Sequence, residues 1–117
     1  MNNTGRKVLH KVLGGLERLR DPIMDRETAL DILKDAQDKV EKSMDEEEFS
    51  IDCIPENLQF SSRADAMRGN LSDLTDASSD LECVVVDCEN MEAYSYQLIK
   101  SDILKIIRSI ELAINRR

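Results

Sequence analysis

The stretch EEEFSIDCIPENLQFSS, residues 46–62, decides how the chain folds. It is the one long interruption between two runs of helical periodicity. It holds one of the two prolines, both phenylalanines and Cys53. Pro55 bars Ile54 from helical backbone, because the ring clashes with the residue before it. The Glu46-Glu47-Glu48 run falls where a helix would end, and negative charge there opposes the helix dipole. The stretch therefore reads as the corner of an antiparallel helical hairpin. Phe49, Ile54, Leu58 and Phe60 are too many large apolar groups for a free loop, so Ile54 and Leu58 are expected to cover the hairpin's open end.

Upstream of the corner, Leu30, Leu33, Gln37, Val40 and Met44 recur at alternating steps of three and four, the signature of one helix face. Asp21-Pro22 or Asp25 can start this helix, which is placed at about 24–49. Asp35–Lys39 and Asp38–Lys42 are i,i+4 pairs on its outer side. Downstream, Ser62 can cap a third helix, with Asp65 in a loose capping box. Met67, Leu71, Leu74, Ser78, Leu81, Val85 and Cys88 then keep a heptad step. An antiparallel pairing sets Gln37 and Ser78 in adjacent layers, either as a polar register pair or turned partly to solvent. The step slips after Cys88, and residues 83–88, CVVVDC, are weak helix formers. Two structures accommodate the slip: one bent helix over 62–115, or helices over about 62–88 and 90–115 with Asn90 as the cap. The break is favoured.

Both ends are amphipathic. Val8, Leu9, Val12, Leu13, Leu16 and Leu19 define a first helix over about 4–20, capped by Asn3 or Thr4. Gly14 and Gly15 weaken it by about 1 kcal/mol each relative to Ala, and they would admit a close neighbour. His10 lies just off the apolar stripe. Ile99, Ile103, Ile106 and Ile110 dominate the last helix, with Leu104 and Ile107 beside them. That surface is too wide for one partner helix. Either the first helix and the hairpin cover it, or a second chain does; a homodimer interface is expected.

The 117 residues are read as one all-α domain, a hairpin with two added helices in coiled-coil-like packing. Aromatics are 3% and Trp is absent, so the core must be aliphatic. No apolar run approaches the roughly 20 residues of a membrane helix, and no membrane association is expected. Three cysteines without an export pattern point to reduced thiols and a cytoplasmic protein. The net charge of −8 is uneven: residues 1–24 carry +3, 25–60 carry −8, 61–95 carry −6 and 96–117 carry +3.

Catalytic patterns are missing. There is one His and no nucleophile elbow, phosphate-binding glycine loop or metal-spaced Cys/His set. No glycine lies between Asp31 and Glu48, so the acidic helix is not a calcium loop. No enzyme, cofactor or metal is expected. The candidate partner surface is acidic: Asp35, Asp38, Asp45, Glu46, Glu47, Glu48, Asp73, Asp76 and Asp80. It is either a solvated face or a landing site for a basic protein. Arg6, Lys7, Lys11, Lys100, Lys105 and Arg108, joined by Arg18, Arg20, Arg116 and Arg117, could instead form one phosphate-binding surface if the terminal helices are neighbours.

Residues 46–67, EEEFSIDCIPENLQFSSRADAM, resemble a segment of small acidic helical proteins of bacteriophages and conjugative elements of gut bacteria, in which Ile-Pro-Glu-Asn-Leu-Gln links two helices. The resemblance covers residues 25–82; Cys83–Cys88 and the Ile-rich tail depart from it. It implies a mobile-element context in the cytoplasm of a bacterial host. The combined expectation is a non-enzymatic inhibitor, of the anti-CRISPR kind or similar, binding a host nucleic-acid-handling or defence protein such as a nuclease. Two alternatives stand beside it: a nucleotide sponge with a basic pocket at an oligomer interface, and a helical oligomerisation module.

Overall fold

The protein is all-α in the computed structural model, which describes residues 1–116. Arg117, one of the expected basic-end residues, lies outside the described residues. Helix α1 spans Asn3–Arg18, α2 Arg26–Asp52, α3 Ser62–Glu89 and α4 Tyr96–Asn115, with one 3-10 turn at Glu56–Leu58 in the corner. Three of the four starts are capped locally by a side chain. Asn2 Oδ1 accepts from Gly5 N (2.8 Å), Asp25 Oδ1 from Thr28 N (2.9 Å) and Ser61 Oγ from Ala64 N (3.2 Å). The caps of α1 and α3 thus lie one residue before the nearest residue expected from sequence. Thr28, through its side chain and then its backbone N–H, holds the Asp25 carboxyl below its ordinary range.

The helices form an up-down-up-down ring. α3 packs on both α2 and α4, and α1 closes the ring against α2 and α4. Side chains from neighbouring helices, and one from the α3–α4 link, capture carbonyls left open at helix ends. Arg26, at the start of α2, donates to the carbonyls of Glu89 (3.2 Å) and Met91 (3.1 Å) just past α3. Tyr94 donates its hydroxyl to the Leu19 carbonyl after α1 (2.7 Å). Arg6 Nε donates to Ile114 near the end of α4 (3.2 Å). In the corner, Gln59 donates to the Ile54 carbonyl (2.7 Å).

The seam differs from the expected one by half a step. Leu33 and Val40 are buried as expected, but their companions on α2 are Ala29, Ala36, Ser43 and Glu47 rather than Leu30, Gln37 and Met44. On α3, Asn70 and Ala77 replace Leu71 and Ser78. Gln37 and Ser78 are half-buried, and Gln37 bonds along its own helix to Glu41 (3.5 Å). Small residues sit innermost because they let helix axes approach, while longer neighbours fill the flanks. After Glu89 the chain leaves the helix. Asn90 ends α3 rather than starting α4, and Ser95 precedes α4 without a side-chain cap bond.

Ile99, Ile103, Ile106 and Ile110 are each 0% exposed, in one core with Leu9, Leu16, Leu33, Leu74 and Leu81. The expectation of a dimer interface at these four residues is therefore corrected. α1 and α3 cover α4 from two sides within a single chain, so the isoleucines belong to its own core. Each such burial contributes about 1.5–3 kcal/mol.

The bundle measures 54 × 21 × 19 Å. α2 is 27 residues, about 40 Å, and α1 only 16, about 24 Å. The Met1 ammonium lies 3.4 Å from Glu47, and Arg116 reaches Asn70 and Asp73. Among the described residues, the α2–α3 hairpin is the part of the helical bundle that continues beyond those levels, so its tip overhangs α1 and α4. There, Phe49 is 70%, Leu58 49% and Phe60 93% exposed, and Ile54 is half-buried. The expected closure of the hairpin end by Ile54 and Leu58 is thus only partial, because no third helix reaches the tip. No helix among the described residues is long and apolar enough to cross a membrane.

Gly14 is exposed, and a methyl group added there would touch nothing within 4 Å; at Gly15 it would meet Ile32 Cγ2 at an ordinary 3.5 Å. Neither glycine serves a close helix approach. Gly14→Ala is expected to stabilise the protein by about 1 kcal/mol and to raise the thermal midpoint by roughly 4 °C, measured by circular dichroism.

Burial, then the neighbouring Cys88 and Tyr96, push the Tyr94 phenol from 10.0 up to about 12. The folded state holds that proton more tightly than the unfolded chain does. The contribution is complete below pH 10 and is lost as pH rises toward 12. Tyr94→Phe should lose this part of the alkaline slope in urea titrations. It should also be about 1 kcal/mol less stable at neutral pH, through the lost bond to Leu19.

Candidate functional site

The acidic residues expected to act together divide into three environments. Asp35, Asp38, Asp45, Glu46 and Glu48 are exposed on the outer face of α2, with Asp35 paired to Lys39 at 2.7 Å. Glu47 does not belong to that face. It occupies the inner seam four residues after Ser43, is 4% exposed and accepts from the Met1 ammonium. Asp73 is also committed: its side chain is 17% exposed and bonds Arg116 at 2.6 Å. Asp76 and Asp80 border a shallow groove between α3 and α4, opposite Lys105 and Arg108. That groove is of mixed charge.

The basic ends do not merge into one surface. α1 and α4 are neighbours, but Lys7 and Lys11 are solvated on α1, and Lys100 is exposed in the first turns of α4. Lys105 and Arg108 face the acids of α3. Of the residues expected to form that surface, Arg6 and Arg116 do come together, at the start of α1 and the end of α4. They share one groove with Arg63 and His10.

The hairpin tip carries the strongest unsatisfied chemistry. A groove of ≈ 520 Å³ runs between the end of α2 and the start of α3, with Phe49, Cys53, Ile54, Leu58 and Met67 along it and Arg63 at one side. Phe49, Leu58 and Phe60 stand out from the tip, and Glu46, Glu48, Asp52 and Glu56 are exposed around them. Between Lys42 and Arg63 the chain has six acids and no Lys or Arg. Exposed apolar groups set among unneutralised carboxylates suit a partner that is apolar and basic.

Sequence reasoning assigned the corner apolars to closure and so missed them as surface. The signal that could have found them is the length mismatch: the first helix is too short to run beside the whole of the second. Arg63 was also missed, although it is the first base after Lys42.

The cysteines are free: Cys53 and Cys83 are exposed and Cys88 is buried. Burial raises the Cys88 thiol above its usual range, so it is not poised as a thiolate. Among the described residues no three His, Cys, Asp or Glu side chains are grouped to hold a metal ion. Compared with protein-family models, curated proteins and solved structures, the chain matches none.

Phe60 makes little use of its ring in the fold. Phe60→Ser is expected to shift the thermal midpoint by no more than about 0.5 kcal/mol in equivalent stability, as for other exposed sites. Leu81→Ala, at a fully buried position, should cost about 2–5 kcal/mol in the same assay.

Proposed function

We propose that the protein is a non-enzymatic binding module. Its working surface is the acidic outer face of α2, continued into the apolar hairpin tip. The observation that carries this reading is the exposure of Phe49 and Phe60, at 70% and 93%, within a segment that has no base between Lys42 and Arg63. Two exposed phenylalanines at the hairpin tip are suited to anchoring, since aromatic residues dominate interface energetics. The surrounding carboxylates raise the encounter rate with a basic surface.

The partner class is a protein with a basic, partly apolar patch, such as one that ordinarily grips nucleic acid. The resemblance of residues 46–67 to small proteins of phages and conjugative elements favours a host defence or nucleic-acid-handling protein, with inhibition by occlusion as the mode of action. Asp35, Asp38, Asp45, Glu46 and Glu48 supply steering, and Phe49, Leu58 and Phe60 supply the anchor.

Affinity capture from bacterial lysate with the wild-type chain and with Phe49→Ser/Phe60→Ser tests the reading. A captured basic protein should bind the double variant at least about 30-fold more weakly, equivalent to losing one hot spot of about 2 kcal/mol. Its association rate should fall steeply as salt is raised. Equal capture by both chains, or a partner whose binding ignores salt, would overturn it.

A further inference from the structure

A second groove lies on the side of the bundle, at the level where α1 begins, α3 begins and α4 ends. Its volume is ≈ 950 Å³, at the upper end for small-molecule sites. In a chain of net charge −8, its lining contains Arg6, Arg63, Arg116 and His10 and no Asp or Glu. We propose that this groove binds a small ligand bearing adjacent phosphate groups, such as a pyrophosphate or nucleoside polyphosphate.

The guanidiniums are not equally engaged. Arg116 is neutralised by Asp73 at 2.6 Å and also reaches the buried Asn70 at 3.4 Å. Gly69 makes room for it: a Cβ there would lie 2.8 Å from the guanidinium carbon. Arg6 spends Nε on the Ile114 carbonyl and one further nitrogen on Asn3, and forms no ion pair among the described residues. Arg63 is exposed and has neither ion pair nor hydrogen bond among them. Two guanidinium groups, Arg6 from α1 and Arg63 from α3, therefore line the groove without an ion-pair partner among the described residues, matching a dianion or polyanion. Asp65, two residues from Arg63, is turned to Arg68 at 3.3 Å and does not line the groove.

The rest of the lining fits the same class. Ser62 and Arg63 are the first two residues of the 28-residue α3, so the positive end of its dipole adds to the field. Asn3 and Asn115 offer neutral polar groups at the rim. Arg is the side chain suited to two-pronged phosphate contact. No Phe, Tyr or Trp lines the groove, so among the described residues no large aromatic ring is placed to stack on a base. Recognition rests on the phosphates, and a nucleoside attached to them would be tolerated rather than read. This site is separate from the hairpin-tip surface except at Met1, Arg63 and Met67, which border both grooves.

Isothermal titration of the full chain with inorganic pyrophosphate, ATP and adenosine tests the assignment. Pyrophosphate and ATP should bind and adenosine should not. Arg63→Ala should weaken binding at least tenfold while leaving the unfolding midpoint unchanged, because Arg63 supports no contact in the fold. Lys105→Ala, a cation outside the groove, should bind as the wild type does. Absence of binding by both pyrophosphate and ATP at millimolar concentration would overturn the proposal. So would affinity that Arg63→Ala leaves intact, or that Lys105→Ala reduces equally.

Discussion

Helix α3 has to be apolar on two sides at once, and the architecture depends on how it meets that requirement without aromatic residues. It contacts α2 along one side and α4 along another. Ala64, Met67, Asn70, Leu74, Ala77, Leu81, Val84, Val85 and Cys88 form a buried band wider than a coiled-coil seam. Alanines at 29, 36, 77 and 113 sit at 0–2% exposure among the leucines and isoleucines. Alternation of small and large groups lets the helices close to native density with modest side chains. Stability is then spread over many similar contributions.

The polar contacts have a different distribution. They gather at helix ends, where the last backbone carbonyls lack partners within their own helix. Arg26 and Arg6 reach such carbonyls from neighbouring helices, and Tyr94 does so from the α3–α4 link. These bonds join residues 63, 75 and 108 positions apart. They specify which helix end lies beside which, something the aliphatic core does weakly because its layers are alike. Losing one of these donors costs about 1 kcal/mol, the net worth of the bond, because the acceptors are exposed or only partly buried and water can take the donor's place.

Periodicity made the four helices and the hairpin legible, since each apolar stripe exceeds two turns. The inner positions were less so. A reading that weights large residues centres the seam on Leu30, Gln37 and Met44, leaves Ala29 and Ala36 at its flank and omits Ser43, yet alanine is the residue that helix contact selects. The Ile99–Ile110 face looked like an interface because its width is visible in sequence and its cover is not: the leucines of α1 are about ninety residues away along the chain. The candidate surface was half legible. Outer acids such as Asp35 and Asp38 follow from helix phase. Glu47 shares their composition but differs by phase, and Phe60 is exposed because neighbouring helices stop short. Arg6 and Arg116 met only because the ring closes, which no local pattern encodes.

The two adjacent glycines of α1 bear on how the bundle opens. Neither is needed for packing, so their helix cost weighs on α1 alone. That helix is also the shortest and is tethered through an exposed link over 20–23. In a protein that opens by cooperative units, the unit with the weakest local free energy leaves first. Its glycines, short length and exposed link make α1 the expected unit, and its departure would uncover part of the isoleucine face of α4 and dismantle one wall of the basic groove. Amide exchange in α1 would then report a partly open species, separate from global unfolding, in which apolar surface hidden in the native bundle is accessible to another chain.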